Sequence, residues 1–360
     1  MVRIKKSLIQ AWKRGRLGER QMELKEFKVM KKVQKLTYPQ DWQSYNQAKT
    51  KEKTIALKLL LELLELQEEP NRFKRPGRPS FTYNEKLICM FIYTFSRFSS
   101  RRVISDVEWL KQLKLLSKTP HFNSILNMFR DGVLTRKLLE LVEITALPLR
   151  MFEDHLSADS SGFSTSQFER WVNVRTQKPT KLRQWKKVHI ISGARTNIIT
   201  SLVITDGTCA DSPELAPLVK RVAKTFNPKE ISADKAYSSR ENLKTIAELG
   251  AVPYIPFKKN VTGKPKGYKI WSAMFEYFWN NQEEFLEHYH KRSNVETTFS
   301  MIKRTFGNRL RTRNFDSQVN EILMKCLCHN LTVLVQESFE LGLEIDFNSC
   351  ANMYYAQKQD

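Results

Sequence analysis

Three acids stand where a phosphoryl-transfer site would need them. Asp159 lies in HLSADSSGFS, an apolar-flanked stretch that enters Ser and Gly. Asp234 lies in EISADKAYSS, directly after a short apolar run with strand character. An acid at a strand end is fixed by the sheet's backbone while its side chain faces a cleft at the rim. Either Asp alone could instead be an ordinary turn or helix-cap residue. Glu296 sits in YHKRSNVETTFSMIK, a basic segment with helical periodicity. At about 3.6 residues per turn, Tyr289, Arg292, Glu296 and Lys303 fall in one stripe, while Val295, Phe299 and Ile302 face a core. An exposed Arg–Glu pair at i,i+4 would also explain part of that stripe.

Those residue types have a use together. Mg²⁺ prefers hard carboxylate oxygens and keeps water and substrate phosphate in its remaining positions. Two such ions, about 3.5–4 Å apart, can activate an attacking oxygen and stabilise a leaving one in an in-line displacement. No side-chain nucleophile is then required. Arg292 and Lys303 would hold the phosphates on either side of the scissile bond.

The spacing Tyr289-x2-Arg292-x3-Glu296-x6-Lys303 resembles the YREK signature of DDE transposases of bacterial and archaeal insertion sequences. ADSSGFS is similar to that group's first-Asp segment, and ADKAYSS to its second, D-K/R-G-Y, with Ala236 where the glycine is common. His189, Thr205-x-Gly207 and Asp211 also fall where members often carry such residues. The resemblance runs from about Asp154 to Leu334. It implies an RNase H-like core with Asp159 on the first strand, Asp234 on the fourth and Glu296 on a later helix. It implies Mg²⁺ as cofactor, two ions with Mn²⁺ able to substitute, held by Asp159, Asp234 and Glu296 as catalytic residues. The implied activity is cleavage at an element's terminal inverted repeats and joining of the 3′-ends to target DNA, by a homodimer or larger assembly. Two rival readings stay open: an RNase H-like structure-selective nuclease, and an idle transposase kept as a DNA-binding regulator. Some relatives stack a tryptophan of the second interval on a flipped base; Trp271 and Trp279 could do so or could be core residues.

The elements that must position these acids read as an α/β fold, a mixed central sheet flanked by helices and preceded by a mainly helical N-terminal DNA-binding region. Ser157–Phe163, residues 187–192, Ile198–Thr205, Glu230–Ala233 and Ala251–Phe257 have strand character, the last with prolines that favour an edge. Helices are expected over Leu215–Phe226 and Arg240–Leu249, and one long helix over Glu284–Phe306. A Lys/Gly-rich loop, Lys258–Lys269, leads into an aromatic loop, Trp271–Trp279. Upstream, Thr54–Gln67, Glu85–Phe98, Val103–Leu116 and Leu134–Ala146 are helical by periodicity. Residues 120–130 could be the second helix of a helix-turn-helix or a short core helix. The expected division is a basic helical region over 1–72, a helical DNA-binding domain over 73–150, a catalytic domain over 151–340 and a tail over 341–360.

Charge points to the partner. The chain of 360 residues carries 60 Lys+Arg against 38 Asp+Glu, a net charge of +22, which favours a polyphosphate. The excess falls in three clusters: residues 1–36 at net +9, residues 170–187 with seven basic residues and no acid, and residues 291–313 at net +6. Separated clusters suit a long duplex better than a small phosphorylated ligand. Candidate DNA contacts are Tyr289, Arg292, Lys303, Arg304, Lys186 and Lys187, with Arg75 and Arg78 of a Pro/Gly-broken basic arm.

Five irregularly spaced cysteines fit a reducing compartment better than a disulfide framework. The longest apolar runs are far short of the ~20 residues of a membrane span, and the basic N-terminus lacks a secretory core. The expected place is the cytoplasm, on the nucleoid. Cys326, Cys328 and His329 read as core packing rather than a zinc site. Asp206 and Asp211 read as turn and cap residues, and His189 as a structural histidine.

Overall fold

The structure, a computed structural model, describes residues 41–66, 80–165 and 185–358. The N-terminal basic cluster, Arg75, Arg78 and most of the basic run from Arg170 lie outside the described residues.

At the centre is a five-stranded sheet of β1 (His155–Ser164), β2 (Trp185–Gly193), β3 (Ile199–Asp206), β4 (Glu230–Ala233) and β5 (Val252–Tyr254), in the order β3-β2-β1-β4-β5. β2 is antiparallel to both β1 and β3, whereas β4 runs parallel to β1 and to β5. β1, β2 and β3 form an antiparallel meander; the crossovers to β4 and β5 carry α6 (Ser212–Val222) and α7 (Arg240–Glu248), as parallel pairing requires. β5 is an edge strand and shorter than its apolar run, because Pro253 and Pro256 cannot donate to a ladder.

Before the sheet come α1 (Trp42–Glu65), α2 (Tyr83–Ser96), α3 (Ile104–Gln112), α4 (Phe122–Met128) and α5 (Gly132–Ala146). α2 starts in a capping box: Thr82 accepts from the Glu85 N–H at 3.0 Å and Glu85 accepts from the Thr82 N–H at 2.7 Å. α4 turns Ile125 and Met128 into the core. After β5 follow α8 (Lys269–Asn280), α9 (Gln282–His290), α10 (Ser293–Phe306), α11 (Phe315–Glu340) and α12 (Phe347–Ala356).

α11 is buried on nearly every side, the mark of a helix enclosed by others. It packs against α1 and α5 and along β3. Its polar residues are satisfied: the Asn330 amide donates to Val142 O and Ile199 O and accepts from the Ile199 N–H. Cys326, Cys328 and His329 are buried in this core, where His329 Nε2 meets Asn197 O at 2.9 Å.

Two expectations need correction. The aromatic stretch is not a loop but α8, whose Trp271, Phe275 and Phe278 pack with Phe257. The single helix expected over Glu284–Phe306 is two. Three i→i+3 bonds (Arg292 N–H to Tyr289 O, Asn294 to Lys291, Val295 to Arg292) tighten the chain and turn it between α9 and α10. The Asn294 side-chain amide donates to Ala194 O in the β2–β3 turn and so ties the start of α10 to the sheet.

Candidate active site

Asp159 and Asp234 are neighbours by sheet register. Ala158 pairs with Ala233 in the parallel β1–β4 ladder, so the next residue of each strand is an Asp. Alternation places His155, Ser157, Asp159 and Ser161 on one face of β1, and Glu230, Ser232 and Asp234 on the same face of β4. Asp159 accepts from the Ser160 N–H at 2.8 Å, and Asp234 from the Lys235 N–H at 2.6 Å as it caps a single 3₁₀ turn over Lys235–Tyr237.

α10 lies across this face and brings the third acid. Thr298 Oγ1 approaches Ser192 Oγ at 3.4 Å, and Lys303 Nζ donates to Ser161 Oγ at 2.6 Å. Arg292, in the break before α10, sends Nη1 to Asp159 Oδ2 at 3.3 Å and Nη2 to Glu296 Oε1 at 2.5 Å. Its guanidinium bridges two of the three carboxylates. Tyr289 is half-buried with its ring 5.7 Å from that guanidinium. The helix break therefore leaves the stripe's members together, although they come from two helices.

Burial pushes the Asp159 carboxyl above the usual carboxylate range; the Ser160 N–H and Arg292 oppose the rise, and Glu296 and Asp234 add to it. Asp159 therefore lies close enough to both other acids to feel their charge. Burial lowers the Lys303 ammonium and raises the Tyr289 phenol. Arg304 is exposed on α10.

Lys186 and Lys187 are less available than their sequence suggests. Being adjacent in β2, they point to opposite faces. Lys186 pairs with Asp206 at 2.5 Å and lies 3.9 Å from the Phe315 ring centroid. Lys187 donates to Asp211 at 3.0 Å and to Cys209 O at 2.9 Å. Asp211 stands at the α6 N-cap but its side chain makes no cap bond; it accepts from Ser160 Oγ at 2.8 Å and lies 3.4 Å from His189 Nδ1. It is a polar brace behind β1, on the face opposite Asp159. Trp271 is buried, donating its indole N–H to Thr262 O at 2.8 Å.

One cluster went unnoticed in the sequence. His155 Nδ1 and His288 Nδ1 both meet Glu230 Oε2, at 2.7 and 2.8 Å, and Lys291 Nζ lies 3.3 Å from the same oxygen. The His288 ring stacks on Tyr254 at 4.6 Å. This group ties the end of α9 to β1, β4 and β5 just before the break that carries Arg292. The signal was present: two apolar strands each place a polar residue at alternate positions, His-x-Ser-x-Asp and Glu-x-Ser-x-Asp.

The donor set suits Mg²⁺ or Mn²⁺ in kind: all are carboxylate oxygens, from the middle of β1, the residue that follows β4, and one helix. Among the described residues, however, no three His, Cys, Asp or Glu side chains are grouped closely enough to hold an ion. The Arg292 guanidinium stands between Asp159 and Glu296. Asp159, Asp234 and Glu296 could hold a divalent cation once Arg292 turns away.

Residues 150–331 match the family described as Transposase DDE domain. The chain is 28% identical over 261 residues to a probable transposase for insertion sequence element ISA1214 of Archaeoglobus fulgidus, covering 72% of this chain and 77% of that one. Among solved structures, the piggyBac transposase synaptic complex with hairpin DNA overlaps it at a TM-score of 0.38 and 12% identity, covering 85% of this chain and 77% of that one. A pre-cleavage Mos1 transpososome does so at 0.21 and 9%, covering 76% and 100%. The matched residues span half the chain, take in all five strands and include Asp159, Asp234 and Glu296: the chain belongs to the Transposase DDE domain family and is an enzyme that acts on DNA.

Proposed function

We propose that this chain is the cut-and-paste transposase of an insertion sequence, with an RNase H-like core and Asp159, Asp234 and Glu296 as its catalytic acids. The observation that carries the reading is the meeting of Asp159 and Asp234 at consecutive register on β1 and β4, with Glu296 joined to Asp159 through Arg292. The strand order, with an antiparallel meander followed by two parallel strands, agrees with such a core. Two Mg²⁺ ions, or Mn²⁺ in their place, would supply activation of the attacking oxygen and charge stabilisation of the leaving one.

The chain's own residues set the geometry. β1 and β4 hold Asp159 and Asp234 rigidly, while α10 adds Glu296 from above the same face. Arg292 exchanges its carboxylate partners for a DNA phosphate, and Lys303 and Arg304 take phosphates farther along α10. The Tyr289 ring flanks the Arg292 guanidinium. DNA is the partner on this reading: two terminal inverted repeats and a target duplex, held by a homodimer or larger assembly, with the N-terminal helical region as a DNA-binding element. No helix among the described residues is long and apolar enough to cross a membrane.

The test is direct. Purified protein with Mg²⁺ or Mn²⁺ and a duplex carrying the element's end is expected to nick at the terminus and to join pre-cut 3′-ends to a second duplex. Hydrolysis without joining would reduce the reading to a nuclease. Neither reaction at any duplex length would overturn it.

A further inference from the structure

We propose that residues 258–269 form a lysine arch that grips the DNA backbone beside the catalytic acids; this rests on the transposase reading. The segment KKNVTGKPKGYK carries Lys258, Lys259, Lys264, Lys266 and Lys269 and no acid. All five lysines are exposed, and among the described residues none of the five forms an ion pair.

The arch is built, not loose. Three successive carbonyls are held from beneath: Trp271 Nε1 donates to Thr262 O at 2.8 Å, Ser272 Oγ to Gly263 O at 2.5 Å, and Arg240 Nη2 to Lys264 O at 3.1 Å. Gly263 rests on the Phe275 ring so closely that a Cβ there would stand 2.7 Å from it. Tyr268 N–H returns to Pro265 O at 2.9 Å, closing a turn whose central residues, Lys266 and Gly267, both have positive φ, 45° and 88°. That is a type I′ arrangement, in which Gly267 costs little and Lys266 is carried to the tip.

Its position follows from the sheet. β4 and β5 are parallel, so their carboxyl ends share one rim. Asp234 follows β4 there, and Lys258 follows β5 after buried Ile255 and Phe257. Arg240, six residues beyond Asp234, binds the arch directly and lies 4.5 Å from the Trp271 ring centroid. A duplex laid along this rim at the acids runs onto the arch. Five like charges on an anchored backbone repel one another, and a polyanion relieves that repulsion. Backbone phosphates fit such a set because lysine binds them as a mobile point charge without reading sequence.

The test uses the full chain with Glu296→Gln, so that DNA is bound but not cut. Affinity for a fluorescent duplex bearing the element's end is measured across a KCl series. Replacing all five lysines by Gln is expected to weaken binding at least tenfold near physiological salt. It should also flatten the slope of log K against log salt by about 0.9 per lost contact, hence by about 3–4 if most of the five engage. Lys220→Gln with Lys224→Gln, exposed at the end of α6 and in the turn just after it, serves as the control and should leave the slope unchanged. A slope equal to the parent's in the five-lysine variant overturns the arch and leaves the transposase reading standing, whether or not an acidic protein partner is lost. A slope lowered as much by the control overturns it too, since bulk charge would then suffice. No duplex binding by the parent overturns both.

Discussion

The guanidinium of Arg292 reaches the Asp159 carboxylate at 3.3 Å while bonded to Glu296 at 2.5 Å, so a side-chain cation stands between two acids proposed to hold metal. The arrangement lowers the cost of keeping carboxylates together before any ion binds. On the proposed reading Arg292 would compete with that ion until a phosphate offers the guanidinium a better partner.

Arg292→Gln is therefore expected to shift two measurements in opposite directions. Binding of Mn²⁺ to the DNA-free protein, followed by calorimetry, should tighten about tenfold, or about 1.4 kcal/mol. Cleavage should fall, because a phosphate contact is gone. Weaker Mn²⁺ binding in the variant would show that Arg292 organises the acids rather than competing for them.

Replacing each acid by its amide should separate chemistry from folding. Asp159→Asn, Asp234→Asn and Glu296→Gln are each expected to lower cleavage by roughly 10³-fold, about 4 kcal/mol of charge stabilisation, with duplex binding retained. Asp159→Asn should also raise the unfolding temperature in EDTA. The folded-state carboxyl is held above its unfolded value, so its ionisation costs stability as pH rises through that range. At neutral pH the amide removes that cost. A lower unfolding temperature would mean that the Arg292 contact outweighs burial.

Much of this site was legible because strands and helices write their periods into sequence. Glu230–Ala233 could be bounded to the residue because its apolar run is closed by Asp234, and the stripe of Arg292, Glu296 and Lys303 needs only helical geometry. The break between α9 and α10 was not legible. The contacts that flank it are long-range: Asn294 donates its side-chain amide to Ala194 O, a hundred residues away, and His288 meets Glu230. Periodicity carries no record of such partners. Lys187 and Asp211 looked like a free cation and a cap for the same reason: their pairing is made by register and crossover, which join β2 to the start of α6.

Glu321 should prove one of the most costly polar residues to remove. It is fully buried beside Lys325, yet its carboxylate serves more than the ion pair. It accepts the Arg311 N–H at 2.9 Å, the Thr312 N–H at 2.9 Å and Thr312 Oγ1 at 2.9 Å, while Lys325 donates to Gly307 O and Arg309 O. Glu321→Ala is expected to cost about 3–5 kcal/mol in chemical denaturation. Glu321→Leu with Lys325→Met should recover little, because backbone groups of residues 307–312 would stay buried without partners. Full recovery by the double variant would reduce the cluster to a simple ion pair.

The bond set around Glu230 predicts how the fold responds to acid. Burial alone would raise the Glu230 carboxyl, but hydrogen bonds from His155 and His288 outweigh it and hold the group well below the carboxylate range. Burial lowers the His155 imidazole, and the hydrogen bond it donates to Glu230 only partly offsets this. Both shifts have the same sign. Each group contributes stability that is complete above its unfolded value, about 6.5 for His and about 4.3 for Glu, and is lost as pH falls through the lower folded value. Unfolding temperature should thus decline below about pH 6, and Glu230→Gln should flatten that decline while costing about 2 kcal/mol at neutral pH. Because the cluster pins the end of α9 four residues before Arg292, the variant should also lose cleavage with little loss of duplex binding. An acid profile unchanged by Glu230→Gln would place the sensitivity elsewhere in the core.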